Sequence, residues 1–467
     1  MGNSRRTLFI VVMLVCLFGA GAYAFLKWYP IYSAQSDLKK LGITFSEQQF
    51  IEHSCAGDTG TVLLFFRAGM NINIAAVPSN RGPVARTALQ CAIMSGHLDT
   101  ATALVQMGAD VNLADSEGAT PLYYLAKYPR YPADMSGRLA YAQLLIAKGA
   151  DVNASGKWGT PLIGAVQSNS IEISNLLLKQ GADVNAVTSD GNTAVMELTK
   201  NSRFSQGGNM DLIEALVDKG ANINAVSKSG NTAILYAAQR RDKEAVSYLI
   251  SKGADLNQPA GSAAKLLQAA LYDPDLVTLL LQGGVDINTR ISEGTLLHYF
   301  IDRRNEAATQ ALLSHKDLDI NAVDSRGDTP LHIAAYRNNG PLIRQLIEGG
   351  GNPNSRNLSM QTPLMKAVTG LAVEAVEELI RDGVDVNATD NNGRTVLYYA
   401  NQGGGDVFIN YAQRAATSDR AAISRSAISL NVTAASSGLT PPSPPTAVDR
   451  AKIRDTIVSM LRKHGAR

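Results

Sequence analysis

Charged and aromatic side chains are both scarce in this chain, at 18% and 6%, and only two Trp are present. Lys and Arg number 43 against 41 Asp and Glu, a net charge of +2. That balance excludes a strongly basic nucleic-acid binder and gives no reason to expect electrostatic steering. Catalytic signatures are missing too: no G-x-S-x-G, Walker loop or G-x-G-x-x-G stands out. Of six His, none has Cys or carboxylate neighbours at metal-ligand spacing. No catalytic, cofactor-binding or metal residues, no cofactor and no small-molecule substrate are therefore expected. Three Cys are present, and Cys16 lies inside an apolar run, which leaves Cys55 and Cys91 as the pair an oxidising compartment could bridge.

What the chain has in abundance is one closing phrase. G-A-D-V-N stands at 108–112, 149–153 and 181–185, with variants such as GANIN at 220–224 and GVDVN at 383–387. The final Asn falls at 73, 112, 153, 185, 224, 257, 288, 321, 354 and 387, and the last three gaps are all 33 residues. A fixed period of that size means a stack of small units, none able to bury a hydrophobic face alone.

Asp324–Asn354 is the clearest copy. Asp-x-x-Gly at 324–327 is turn chemistry. Thr329-Pro330 is a helix start, with Thr as cap and Pro in the first turn. Leu331, Ala334 and Ala335 then give a small-residue helix face, and Ile343, Leu346 and Ile347 recur at helical spacing before Gly350 ends the second helix. At these residues the chain resembles the ankyrin repeat, with T-P-L-H-x-A in the first helix and G-A-D-x-N at the close. Nine first-helix starts match, from Thr87-Ala88-Leu89 to Thr395-Val396-Leu397, and the resemblance covers roughly 45–411. It implies an all-α repeat solenoid of about 10–11 helix-turn-helix and β-hairpin units.

Departures from the pattern carry their own expectations. Phe45–Asn73 lacks T-P-L-H, as an N-terminal cap would. Ala264-Lys265-Leu266 has lost Thr and Pro. Met360 replaces the hairpin Gly of its unit, which predicts a distorted fingertip. Aligned on the repeat, Cys55 and Cys91 fall on neighbouring inner helices one turn out of register, so two small buried thiols are expected in preference to a bridge. His97, His298 and His332 are read as structural, and so is the periodic Asp of each closure.

Outside the array, Leu8–Leu26 is uncharged and mostly apolar, long enough at 1.5 Å per residue to span a hydrocarbon core. Arg5 and Arg6 precede it and Trp28 and Tyr29 follow, the pattern of a signal anchor that leaves the N-terminus in the cytoplasm. Ala22-Tyr23-Ala24 offers the alternative of a cleaved signal and a soluble periplasmic chain. The expected organisation is a cytoplasmic stub and transmembrane helix at 1–29, a juxtamembrane linker at 30–44 and the array at 45–413. A flexible Ser/Ala/Pro-rich insert follows at 414–449. The helix at 450–467, ending His464-Gly465-Ala466, is read as the outer helix of a split last repeat, with Ile453, Ile457, Val458 and Leu461 facing the array.

The resemblance implies a protein-binding module whose hairpin tips and inner helices form a concave face. Mapped onto that face, the partner-binding candidates are Glu117, Tyr128, Lys157, Trp158, Lys228, Arg240, Arg326, Tyr336, Arg337 and Arg394. Trp158 is the leading anchor, with packing back onto its own hairpin as the alternative. The chain looks like exported bacterial ankyrin-repeat proteins, some of which are immunity proteins. That implies an inner-membrane, single-pass protein with its array in the periplasm, neutralising an envelope-targeted toxin. A periplasmic scaffold or stress-protection factor is the alternative. A membrane-linked hydrolase is the alternative of another class, and it finds no nucleophile–base pair here.

Overall fold

Each repeat starts where a Thr in extended backbone turns into a helix. In a computed structural model that describes residues 31–78, 83–128, 135–201, 210–402 and 447–467, Thr120, Thr193, Thr232 and Thr362 each accept a hydrogen bond from the N–H three residues on. That bond satisfies one of the donors a helix start leaves orphaned. The inner helices that follow are short and buried almost all round: in Ala194–Lys200 every residue but the last is buried. Outer helices bury a stripe only. Val373–Arg381 turns Ala375, Val376 and Leu379 inward and leaves Glu374, Glu377 and Arg381 outside.

The chain forms two compact units, Met1–Asp255 and Leu256–Arg467. In the first, the inner helices Glu47–Ala56, Ala88–Met94, Pro121–Lys127, Pro161–Gln167, Ala194–Lys200 and Ala233–Arg240 pack each against the next. In the second, Leu296–Asp302, Pro330–Tyr336, Pro363–Thr369 and Val396–Asn401 do the same. The paired strands Ala75–Ala76 and Arg86–Thr87 form the longest hairpin ladder, and elsewhere single bridges such as Gly156 with Gly159 close the tips.

The closing phrase proves to be a staple. Asp110 accepts from the Asn112 N–H at 2.8 Å, which sets the Asn side chain toward the next repeat. There its Oδ1 accepts from the Asp151 N–H at 2.7 Å and its Nδ2 donates to the Gly149 carbonyl at 2.8 Å. Asn153 and Asn185 in the first unit, and Asn321 in the second, repeat both bonds. The Asp shapes the turn and the Asn joins successive repeats. At the end of the second unit, Asn387 donates to the Gly465 carbonyl at 3.1 Å and accepts from the Arg467 N–H at 2.9 Å. The helix Ala447–Lys463 lies against Val373–Arg381 and Val396–Asn401, with Ile457 and Leu461 fully buried and Ile453 and Val458 half-buried.

Four expectations need correction. Residues 31–40, read as a linker, are helical with Ala34 and Leu38 buried, and Gln35 donates to the Ala68 carbonyl at 3.2 Å. Ala34 and Leu38, four residues apart, share one face of that helix. The stretch read as insert up to 449 is already helical from Ala447. Met360 does not distort its fingertip: it takes the left-handed conformation at φ 58° and makes the same 4→1 turn bond, to Asn357, that Gly327 makes to Asp324. Cys55 and Cys91 are bridged, with Cα atoms 4.9 Å apart, inside the usual disulfide range. Ser54, Ala88 and Ala92 are buried beside them, and such small side chains let the two helices approach closely enough to absorb the offset of one turn. Among the described residues no helix is long and apolar enough to cross a membrane. The apolar run 8–26 and most of the insert lie outside the described residues.

Candidate partner-binding face

Two hairpin tips in the first unit touch backbone to backbone. Gly118 and Gly156 face each other so closely that a Cβ on Gly156 would sit 2.6 Å from the Gly118 carbonyl oxygen. With no side chain between them, the Lys157 N–H donates to the Glu117 carbonyl at 2.8 Å. The side chains then close over the same joint. Lys157 Nζ lies 2.9 Å from one Glu117 carboxylate oxygen, and Trp158 Nε1 donates to the other at 3.0 Å. Lys157 Nζ also stands 4.8 Å from the indole centre, within cation–π range. The Trp158 bond first, then Lys157, holds the Glu117 carboxyl below its usual range. Trp158 is tied to the preceding hairpin through Glu117, with Lys157 of its own hairpin over its ring, and stays 47% exposed.

From this knot the ladder of tips runs on through Ser189 N to Lys157 O and Lys228 N to Asp190 O. Lys228 is thus placed two tips along, exposed, while Arg240 ends its inner helix, also exposed. Tyr128 caps the helix Pro121–Lys127 and stacks on Tyr124 at 5.8 Å. Beneath, Lys127 donates to Gln167, Gln167 to Glu197 at 3.0 Å, and Asn192 to Glu197 at 2.7 Å, a polar chain across successive inner helices.

In the second unit the candidates pair within the chain. Arg337 grips Asp302 at 2.6 and 3.1 Å and lies 5.8 Å from the Tyr336 ring centre. Arg326 reaches Glu293 at 3.6 Å. Arg394 pairs with Asp390 at 2.7 Å. Burial acts to raise the Asp390 carboxyl, but Arg394 and the Tyr399 hydroxyl hold it well below its usual range. A recess of about 100 Å³ opens beside Tyr336, walled by Asp302, Asp328, Lys366 and Tyr399. Sequence reading named Tyr336 but not Asp302, Asp328, Lys366 or Tyr399, yet one signal was available. A hairpin Asp bonds an inner-helix Tyr nine positions on, both in Asp115–Tyr124 and in Asp390–Tyr399.

The two T-P-L-H-position histidines are beams. The Thr329 N–H donates to His332 Nδ1 at 3.0 Å, so Nε2 carries the proton and donates to the Gln361 carbonyl at 3.0 Å. His298 does the same for Thr295 and the Asp328 carbonyl. Burial pushes both imidazoles below 6.5. Between the folded and unfolded values the unfolded chain holds the extra proton. The stability these groups give is therefore complete above about pH 6.5 and declines as pH falls through it. Gln90 fills the same box for Thr87 and bonds the Ala119 carbonyl at 3.0 Å without titrating. The double variant His298→Gln/His332→Gln is expected to match the parent within about 1 kcal/mol at pH 7.5. It should also lose part of the parent's decline in urea stability toward pH 5, and an unchanged slope would show that these two groups do not set it.

A family model described as ankyrin repeats (3 copies) matches residues 53–155, 162–260, 266–357 and 331–409. The chain is similar to Alpha-latrotoxin-Lg1a of Latrodectus geometricus, 32% identical over 140 residues, which is 28% of this chain and 10% of that protein. It is 32% identical over 106 residues to Transient receptor potential cation channel subfamily A member 1 of Homo sapiens, 22% of this chain and 10% of that one. Rabankyrin-5 of Mus musculus is 26% identical over 191 residues, 37% of this chain and 16% of that one. The chain spans about a tenth of the length of the first two relatives, so the likeness lies in the repeats.

Proposed function

The chain belongs to the ankyrin-repeat family, a family of protein–protein interaction modules, and from that premise we propose that it binds a protein partner outside the cytoplasm. The single observation that carries the binding face is the Glu117–Lys157–Trp158 knot. A large indole is exposed yet already immobilised by two neighbours, so docking against it loses little conformational freedom. Tyr128 and Lys228 belong to the same unit's face. Arg240 adds an exposed cation there. In the second unit Arg326, Tyr336, Arg337 and Arg394 form the corresponding row.

Two features support export. Leu8–Leu26 has the length and flanks of a signal anchor, and the Cys55–Cys91 bridge suits an oxidising compartment. Within that setting the partner we favour is a toxin directed at the envelope, which this protein neutralises by occupying it. The family's usual role is binding without catalysis, and the polar clusters described above are structural.

The test is capture of envelope proteins on the full-length chain in detergent, with the partner identified by mass spectrometry. Trp158→Ala is expected to keep the parent's thermal stability and to weaken partner affinity by about 2 kcal/mol, near thirtyfold. Undiminished capture by a folded Trp158→Ala chain would remove the knot from the interface. A partner without toxicity to the envelope would remove the immunity role and leave the scaffold.

A further inference from the structure

In three of the later repeats the side chain three residues after the cap Thr reaches into the next repeat: His298 to the Asp328 carbonyl, His332 to the Gln361 carbonyl, Gln90 to the Ala119 carbonyl. The first repeat uses that position differently. Ser46 caps its inner helix, and Gln49, at the position of those His and Gln residues, gives its amide to Glu52 of its own helix at 2.9 Å. This inner helix packs against the next and is joined to it by the Cys55–Cys91 bond, closing a separation of 36 residues. Around it the joint is tight: a Cβ on Gly57 would meet His97 Nδ1 at 2.5 Å, and the Thr59 and Thr100 hydroxyls bond at 2.6 Å.

We propose that Cys55 and Cys91 are a dithiol oxidation site whose disulfide locks the first inner helix to the next, so that the first repeat is held more firmly in the oxidised chain. The oxidant is a disulfide-bearing donor of the glutathione or dithiol-oxidase class. The Cys55 or Cys91 thiolate attacks a sulfur of that disulfide, forming a mixed disulfide and releasing one thiol. The second thiolate then attacks the mixed disulfide, closing Cys55–Cys91 and releasing the second thiol; the two protons given up by the Cys thiols end on the two leaving thiolates. In the folded chain Cys55 is 8% exposed and Cys91 not at all. Exchange therefore proceeds from a locally opened first repeat, and once the bond forms, closure of the helix Glu47–Ala56 shields it from reductant.

The experiment is amide exchange on the full chain after incubation with glutathione disulfide or with dithiothreitol, alongside a non-reducing peptide map. The map should contain Cys55 linked to Cys91 in the oxidised sample. Reduction should speed exchange across 47–67 by roughly thirtyfold or more and leave 330–381 unchanged. Cys55→Ala/Cys91→Ala should exchange like the reduced parent in either buffer. Free thiols at both positions after oxidation, or exchange over 47–67 that ignores reduction, would overturn the proposal. So would an alanine pair as protected as the oxidised chain.

Discussion

Replacing Lys366 with Met should destabilise the second unit by about 3–5 kcal/mol, the usual cost of stripping one partner from a buried ion pair. Lys366 Nζ lies 2.8 Å from Asp328 Oδ2, with the two side chains 18% and 6% exposed. Asp328 is also the point where three repeats meet. His298 donates to its carbonyl at 3.0 Å, and Asn357 donates to its other carboxylate oxygen at 2.7 Å. The Met variant would leave a carboxylate enclosed with one neutral donor. Asp328→Asn/Lys366→Met removes both charges and should recover most of the loss, because replacing a whole buried pair is often nearly neutral. Unfolding an array is not a single transition, so the readout is amide protection over 324–370 for the two single variants and the double. Additive losses would show that the charges are independent.

That pair illustrates which parts of this molecule were legible beforehand. Thr caps, left-handed glycines and the Asp and Asn of each closure follow from local chemistry repeated at one period, so each copy reads the next. Side-chain partners between repeats were not read, although they too have a period: Lys157 to Glu117 spans 40 residues and Lys366 to Asp328 spans 38. Opposite charges one repeat apart, on tip or inner-helix positions, are the signal that would have found them. Cys55–Cys91 at 36 belongs to the same class, and the small residues beside it were the missing clue. Met360 failed as a prediction for another reason. The hairpin's bond pattern, fixed by Asn357 and Gln361 at its base, imposes a positive φ on whatever residue occupies the tip.

Leu461→Ala is the variant by which the helix Ala447–Lys463 can be judged, with an expected loss of about 2–5 kcal/mol in local stability. Leu461 and Ile457 are fully buried against helices that end well before it in sequence, and Asn387 stitches the turn after it to the array. A free tail would bury neither residue and would leave Asn387 to water. Without this helix the side of Val373–Arg381 that it covers would face solvent. Leu461→Ala should therefore raise amide exchange over 373–401, forty residues and more upstream, while Lys452→Ala on the exposed side of the same helix should not. Removing 447–467 outright should produce the larger effect in the same region. If protection over 373–401 survives both changes, the helix contributes nothing to the last repeat, and the array ends on the exposed helix Val373–Arg381 instead.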